Sequence, residues 1–566
     1  MIVPLNPGTD CFDVVPDYSY PSLQRSDAIT CSGNSWRIKM TTTRYFILCT
    51  LICALSACSA AKRSTMPFPV AQSTAQGGNL KADAPQFNRE AYDRIVDNPF
   101  VRVSQDPLAT FSIDVDTASY ANMRRFLNSQ QLPPKDSVRI EELLNYFTYD
   151  YSTAQGDQPL AVNAEVAAAP WKPEHRLVRI GIKGRELDAE QRQPSNLVFL
   201  IDVSGSMDPA EKLPLLKTAM KLLVDRLTEN DHVAIVVYAG SSGLVLPSTS
   251  GDKKEVLAEA LERLRARGST NGAQGIQLAY DTALANFIPG GINRVILATD
   301  GDFNVGITSQ GELTRLIEEK ARSGVFLSVL GFGKGNLQDS TMEKLAANGN
   351  GNYHYIDTLN EGRKVLVEQA GGTLVTIAKD VKIQVEFNPA EVSAYRLIGY
   401  ENRVLRHEDF NNDQKDAGDI GAGHTVTALF EVVPQGIGID IPAVDALRYQ
   451  TPTRSSSNTG RGELLNVKLR YKDPEGSDSK LLEFPVVDSK APFAEATTDY
   501  RFASAVAAFG MTLRDSPYRG QLNLDRVLEI AEKSRGTDNG GYREEFIQLV
   551  RKTQSIRGAL AASVRE

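Results

Sequence analysis

At 566 residues the chain is too long for one hydrophobic core, since single cores stop growing near ~250 to 300 residues, so two to four domains are expected. Its 42% hydrophobic and 23% charged residues are ordinary for a globular protein, and a formal charge of -8 gives no support to a nucleic-acid partner, which would need a basic face. The five cysteines, Cys11, Cys31, Cys49, Cys53 and Cys58, all lie near the N-terminus; beyond Cys58 no disulfide can form, which does not exclude export, because cores alone can stabilise a chain this long.

Residues 1–39 have no periodicity and carry scattered Pro and Asp, and they read as an upstream extension that is not native. Translation is expected to begin at Met40. That residue opens MTTTRYFILCTLICALSACSA, with one positive residue, Arg44, followed by a mostly apolar run over 45–55. This is the pattern of a signal peptide, and the run is too short for a bilayer core, which takes ~20 residues. Residues 40–57 are therefore expected to be removed. Leu55-Ser56-Ala57-Cys58 resembles a bacterial lipobox. The resemblance implies that Cys58 carries a diacylglyceryl group and becomes the mature N-terminus in the cell envelope, and Ser59 after it implies retention at the outer membrane. Residues 58–86, rich in Ala, Ser, Gln, Gly and Pro, read as a flexible tether.

Residues 87–160 read as a small α+β module, with a strand over 110–115 and helices over 119–127 and 138–147. Alternating segments within 161–195 predict strands that lead into the next domain. Over 196–376, apolar strands (NLVFLIDV, HVAIVVYA, RVILATD, VFLSVLGFG) alternate with amphipathic helices (KLPLLKTAMKLLVDRL, KKEVLAEALERLRA, AQGIQLAYDTALANF, ELTRLIEEKARS). Fully apolar strands separated by helices predict a doubly wound, mostly parallel α/β sheet buried on both faces. Residues 377–490 are β-rich with alternating strands such as VKIQVEF, VTALFEVV and LLNVKLRYK, and residues 491–566 are helical.

The first apolar strand of the α/β region ends in Asp202-Val203-Ser204-Gly205-Ser206, which puts three oxygen side chains at the carboxyl edge of the sheet, where ligands bind in open α/β folds. Thr270 lies in the loop GSTNG between two helices, and Asp300 closes the strand RVILATD. An all-oxygen set suits a hard divalent cation, with Mg²⁺ expected and Mn²⁺ or Ca²⁺ open. The set resembles the metal-ion-dependent adhesion site of von Willebrand factor type A domains, DxSxS followed by a distant Thr and a distant Asp. That resemblance implies Ser204, Ser206 and Thr270 as direct ligands, with Asp202 and Asp300 acting through water. It also implies a protein partner whose Asp or Glu completes the ion's shell. DPLATFSIDVDTASYANMRRFL, RIEELLNYFTYDY, and the later ENRVLRHEDFNNDQKDAGDIGAGHTVTALFEV and YRFASAVAAFGMTLRDSPYRG resemble the modules that flank this domain in a group of bacterial lipoproteins.

Other motifs carry less. Gly331-Phe332-Gly333-Lys334-Gly335 lacks the spacing of a nucleotide loop and reads as a strand-to-helix turn. Asp114 and Asp116 imitate half a metal site, but no partner loop follows, and a capped strand-to-helix turn is expected. In NNDQKDAGDIGAGH, Lys415 stands where a calcium loop needs an oxygen. No histidine belongs to HExxH, and no GxSxG elbow is present, so no catalysis is expected. The alternatives are a metal-dependent hydrolase, for which His232 sits at the wrong end of the sheet to be a base, and a scaffold in which the metal is purely structural.

Overall fold

Nearly every residue of two adjacent apolar runs is driven out of water, and a strand that must bury both faces can do so only in the middle of a layered sheet. The computed structural model describes residues 89–187, 193–268, 272–301, 310–370, 374–439 and 462–563. The proposed extension, signal segment, tether, Cys58 and Thr270 lie outside these. In chain order the first elements are β1 (Val101–Arg102), β2 (Leu108–Ser112), α1 (Ala118–Asn128), α2 (Ile140–Asn145), β3 (Leu160–Ala169) and β4 (Lys172–Gly184). The central stretch holds β5 (Ser195–Asp202), α3 (Leu213–Val224), β6 (His232–Tyr238), β7 (Ser242–Ser250), α4 (Lys254–Arg263) and α5 (Gly272–Ala285). It continues with β8 (Ile292–Thr299), α6 (Gln310–Ala321), β9 (Phe326–Phe332), α7 (Asp339–Asn348), β10 (Tyr353–Ile356) and α8 (Leu359–Arg363). The last stretch holds β11 (Thr376–Phe387), β12 (Val392–Ile398), β13 (Ile420–Gly421), β14 (Thr425–Pro434), β15 (Glu463–Lys472), β16 (Ser479–Val487), α9 (Thr498–Arg514), α10 (Leu524–Lys533) and α11 (Tyr542–Ser563).

The central sheet has the order β10-β9-β8-β5-β6-β7, parallel throughout except for the antiparallel edge pair β6 and β7. All residues of β5 and β8 are buried. Because side chains alternate across a strand, Leu197, Phe199 and Ile201 pack into the core formed with α3 and α4, while Val198 and Leu200 pack into the opposite core with α5 and α7. The doubly wound α/β reading therefore holds, with helices on both faces. Two strands were not among those expected: β7, a half-exposed edge strand with only the short apolar run Leu244-Val245-Leu246, and the four-residue β10.

The stretches before and after the central sheet are joined by strand pairing. One antiparallel sheet runs β1-β12-β14-β4-β3, and another runs β13-β11-β15-β16 with β2 also on β11. The hairpin β3–β4 does not extend the central sheet; its β4, buried over 177–182, pairs antiparallel with β14. A separate core gathers α1 and α2 with α9, α10 and α11, with Tyr146, Phe147, Phe502 and Phe546 at its centre.

Candidate metal centre

Strand β5 delivers Asp202 to the carboxyl edge of the sheet, and the turn that follows is shaped by that same residue. Asp202 Oδ1 accepts the Ser204 amide at 2.8 Å, and Asp202 Oδ2 accepts the Thr299 hydroxyl at 3.1 Å, which ties the turn to the neighbouring β8. The Ser204 and Ser206 hydroxyl oxygens lie 3.0 Å apart. Asp300 follows β8 at once, and Asp202 and Asp300 are both fully buried, whereas Gly205 is exposed and Ser206 is half-buried. The carboxylates and the Ser204 hydroxyl thus lie buried, and the turn reaches solvent at Gly205 and Ser206.

Burial, and then the neighbouring charge of Asp300, push the Asp202 carboxyl up to about 7. The Tyr238 phenol at the end of β6 is pushed well above its ordinary value by burial and by Asp202. The Lys212 ammonium donates to Asp300 Oδ2 at 2.9 Å. Two buried carboxylates beside a pair of hydroxyls gather oxygen donors at one edge of the sheet. That donor set, all hard oxygen, fits a divalent cation, with Asp202, Ser204, Ser206 and Asp300 as the residues that would hold it.

Four of the five expected site residues are therefore brought together. Thr270 lies outside the described residues, but the chain leading to it is tied to the same turn: Gly268 accepts the Gly205 amide at 3.0 Å, and Val203 accepts the Arg267 amide at 2.6 Å. Sequence reasoning missed Lys212 and Thr299. Thr299 directly precedes Asp300, so its neighbourhood was legible, whereas Lys212 carried no signal beyond opening an amphipathic helix.

Asp114, Asp116 and Glu142 place carboxylate oxygens within 4.8 Å of one another. Each is already engaged. Arg403 donates to Asp114 Oδ2 at 3.1 Å and to Asp116 Oδ2 at 3.3 Å, and the Tyr353 amide donates to Asp116 Oδ1 at 2.7 Å. Glu142 accepts from Arg139 and from the Ser119 amide, the latter at 2.7 Å. The expected turn is present, with Asp114 Oδ1 accepting the Asp116 amide at 3.0 Å, but the first turn of α1 is capped by Glu142 rather than by an aspartate. This group joins the N-terminal module to β10.

A parallel sheet whose central strand ends in this acid-and-hydroxyl turn defines a von Willebrand factor type A domain, and the family model of that name matches residues 196–368. A von Willebrand factor model matches residues 86–179, and one for the C-terminal region of the uncharacterized protein YfbK matches 372–556. The chain belongs to the YfbK family. It is 46% identical to the uncharacterized protein YfbK of Escherichia coli (strain K12) over 473 residues, 82% of this chain and 81% of that one. It is 29% identical to the uncharacterized protein sll0103 of Synechocystis over 212 residues, 38% of this chain and 48% of that one. Over 166 residues it is 29% identical to human inter-alpha-trypsin inhibitor heavy chain H4, 28% of this chain and 18% of that one. Among solved structures, a von Willebrand factor type A protein from Catenulispora acidiphila is similar at 18% identity and a TM-score of 0.40, over 71% of this chain and 92% of that one.

Proposed function

We propose that this protein is a lipid-anchored component of the bacterial cell envelope, held at the outer membrane through Cys58, that binds a protein ligand through a divalent metal, Mg²⁺ first. Asp202, Ser204, Ser206, Thr270 and Asp300 hold the ion, and an Asp or Glu of the partner completes its shell. The reading is of a binding protein in adhesion or envelope assembly rather than of an enzyme. The observation that carries it is the pair of Ser204 and Ser206 hydroxyls, 3.0 Å apart beside the buried Asp202 and Asp300, in a turn that reaches solvent at Gly205 and Ser206. A cation held mainly by neutral hydroxyls keeps positive charge toward solvent, which a carboxylate ligand satisfies.

The test is an affinity capture from solubilised envelopes with the full chain as bait, in Mg²⁺ and in EDTA, alongside Asp202→Ala. A protein kept only by the wild-type bait with metal supports the reading and names the partner. Equal retention in all three conditions overturns it.

A further inference from the structure

Behind the proposed metal ligands the fold holds a cation of its own. Lys212, between the DxSxS turn and α3, is 5% exposed, and its ammonium donates to Asp300 Oδ2 at 2.9 Å and to Asn336 Oδ1 at 3.1 Å. The lysine stem passes directly over Gly333, where an added Cβ would sit 2.0 Å from Lys212 Cε. Gly333 also has φ of +76°, a conformation that residues with a side chain adopt only under strain. The loop over residues 333–338 therefore acts on Asp300 twice. Asn336 fixes the ammonium on the carboxylate, and Gln338 backs the turn after it, so closely that a Cβ on Gly301 would lie 2.7 Å from the Gln338 amide nitrogen.

That loop is in turn paired with residues 89–91, which arrive from the N-terminal part of the chain. The Arg89 amide donates to Gly335 O at 2.7 Å and the Ala91 amide to Leu337 O at 3.0 Å. Gln338 Nε2 donates to Arg89 O at 2.9 Å, and the Gly335 amide donates to Glu90 Oε1 at 2.8 Å. The Glu90 side chain is 2% exposed and takes both arms of the Arg125 guanidinium, at 2.9 and 3.0 Å, so α1 holds the clip in place.

We propose that Lys212 is a resident counter-cation of the metal site, and that residues 89–91, by clamping the 333–338 loop, keep it on Asp300 and so set how tightly the site takes a divalent ion. The inference rests on the metal-binding reading above. An ammonium on Asp300 cancels one of the two carboxylate charges and repels an incoming cation through a low-dielectric floor, where such terms are large. Releasing Lys212 restores that charge. A pull or a partner acting on the chain before residue 89 would then change cation affinity without touching a ligand residue, by biasing two arrangements of one loop.

The experiment is isothermal titration calorimetry of Mn²⁺ into the full chain, with thermal melting to establish that each variant folds. Lys212→Met, which keeps the aliphatic stem, tightens Mn²⁺ binding by about tenfold or more, and Glu90→Gln tightens it by about threefold or more. The two together give no more than Lys212→Met alone, because Glu90 acts through Lys212. Should Glu90→Gln not fold, Gln338→Ala, which removes the loop's side-chain bond to Arg89 O, tests the same coupling. Unchanged or weaker binding in Lys212→Met overturns the counter-cation. A tightened Lys212→Met with an unchanged or fully additive Glu90→Gln overturns the coupling. Absence of Mn²⁺ binding in both wild type and Lys212→Met defeats the underlying metal-site reading, and this inference with it.

Discussion

The Arg124 guanidinium and the Glu361 carboxylate meet 2.8 Å apart at the place where α1, α8 and α11 converge. Arg124 also donates to Asp357 Oδ2 at 2.9 Å and to Glu545 Oε1 at 2.9 Å, and the Arg124 and Glu361 side chains are 4% and 1% exposed. One buried cation thus serves three carboxylates drawn from the central domain and the C-terminal helix. Removing one partner of a buried pair leaves uncompensated charge, so Arg124→Met is expected to cost about 3 to 5 kcal/mol. Urea unfolding followed by circular dichroism checks this, and a midpoint equal to wild type would refute it.

Glu141 on α2 gives stability a pH dependence with a defined sign. Burial first, and then the charges of Glu401 and Asp114, push its carboxyl up to about 8 from an ordinary 4.5. The folded chain therefore keeps a proton that the unfolded chain has lost, and the stability this confers is complete below the ordinary value and disappears as pH rises through about 8. His354 and His424 run the other way, since burial pulls them down to about 3 and about 4, and their contribution is lost as pH falls below an ordinary 6.5. The urea midpoint is expected to drop as pH rises from neutral to above 8, and to drop less in Glu141→Gln. An identical slope in the variant would assign the dependence elsewhere.

Metal should stabilise the folded chain without being required for folding. The cores on both faces of the central sheet are closed and apolar independently of the site. Free Mg²⁺ at about a hundredfold its dissociation constant is expected to add about 2.7 kcal/mol. Differential scanning calorimetry should find this gain in wild type and lose it in Ser204→Ala, with both still folded in EDTA. Unfolding on chelation would instead make the metal structural.

The helix behind the site tolerates no added bulk. A Cβ on Gly275 of α5 would lie 2.7 Å from Tyr238 Cβ and 3.2 Å from Leu200 Cδ1, both part of the sheet core. Gly275→Ala is expected to cost about 1 to 3 kcal/mol by pushing α5 from β5 and β6. It should also weaken cation binding, because α5 starts two residues after Thr270. A lowered melting temperature with unchanged Mn²⁺ affinity would separate the two effects.

Local chemistry made the central domain legible. An apolar run such as NLVFLID has only one stable place, a strand buried on both faces, and DxSxS directly after it must fall at the sheet's carboxyl edge. Asp202, Ser204, Ser206 and Asp300 could therefore be placed at strand ends from order, while grouping them as one site came from the family resemblance. Strand β7 could not be found in this way, because at the sheet edge its short apolar run Leu244-Val245-Leu246 lies half in water among Ser, Gly and Pro.

Tertiary structure alone decided which distant segments meet. Nothing in the alternation of β2 or β1 says that they pair with β11 and β12, since backbone hydrogen bonds carry no address and any half-buried strand offers the same edge. Likewise Lys212 reads as the first residue of an amphipathic helix until Asp300, 88 positions later, and Asn336 are found around its ammonium. A charge declares itself in sequence, but its partner is set by the packing that brings the two out of water together.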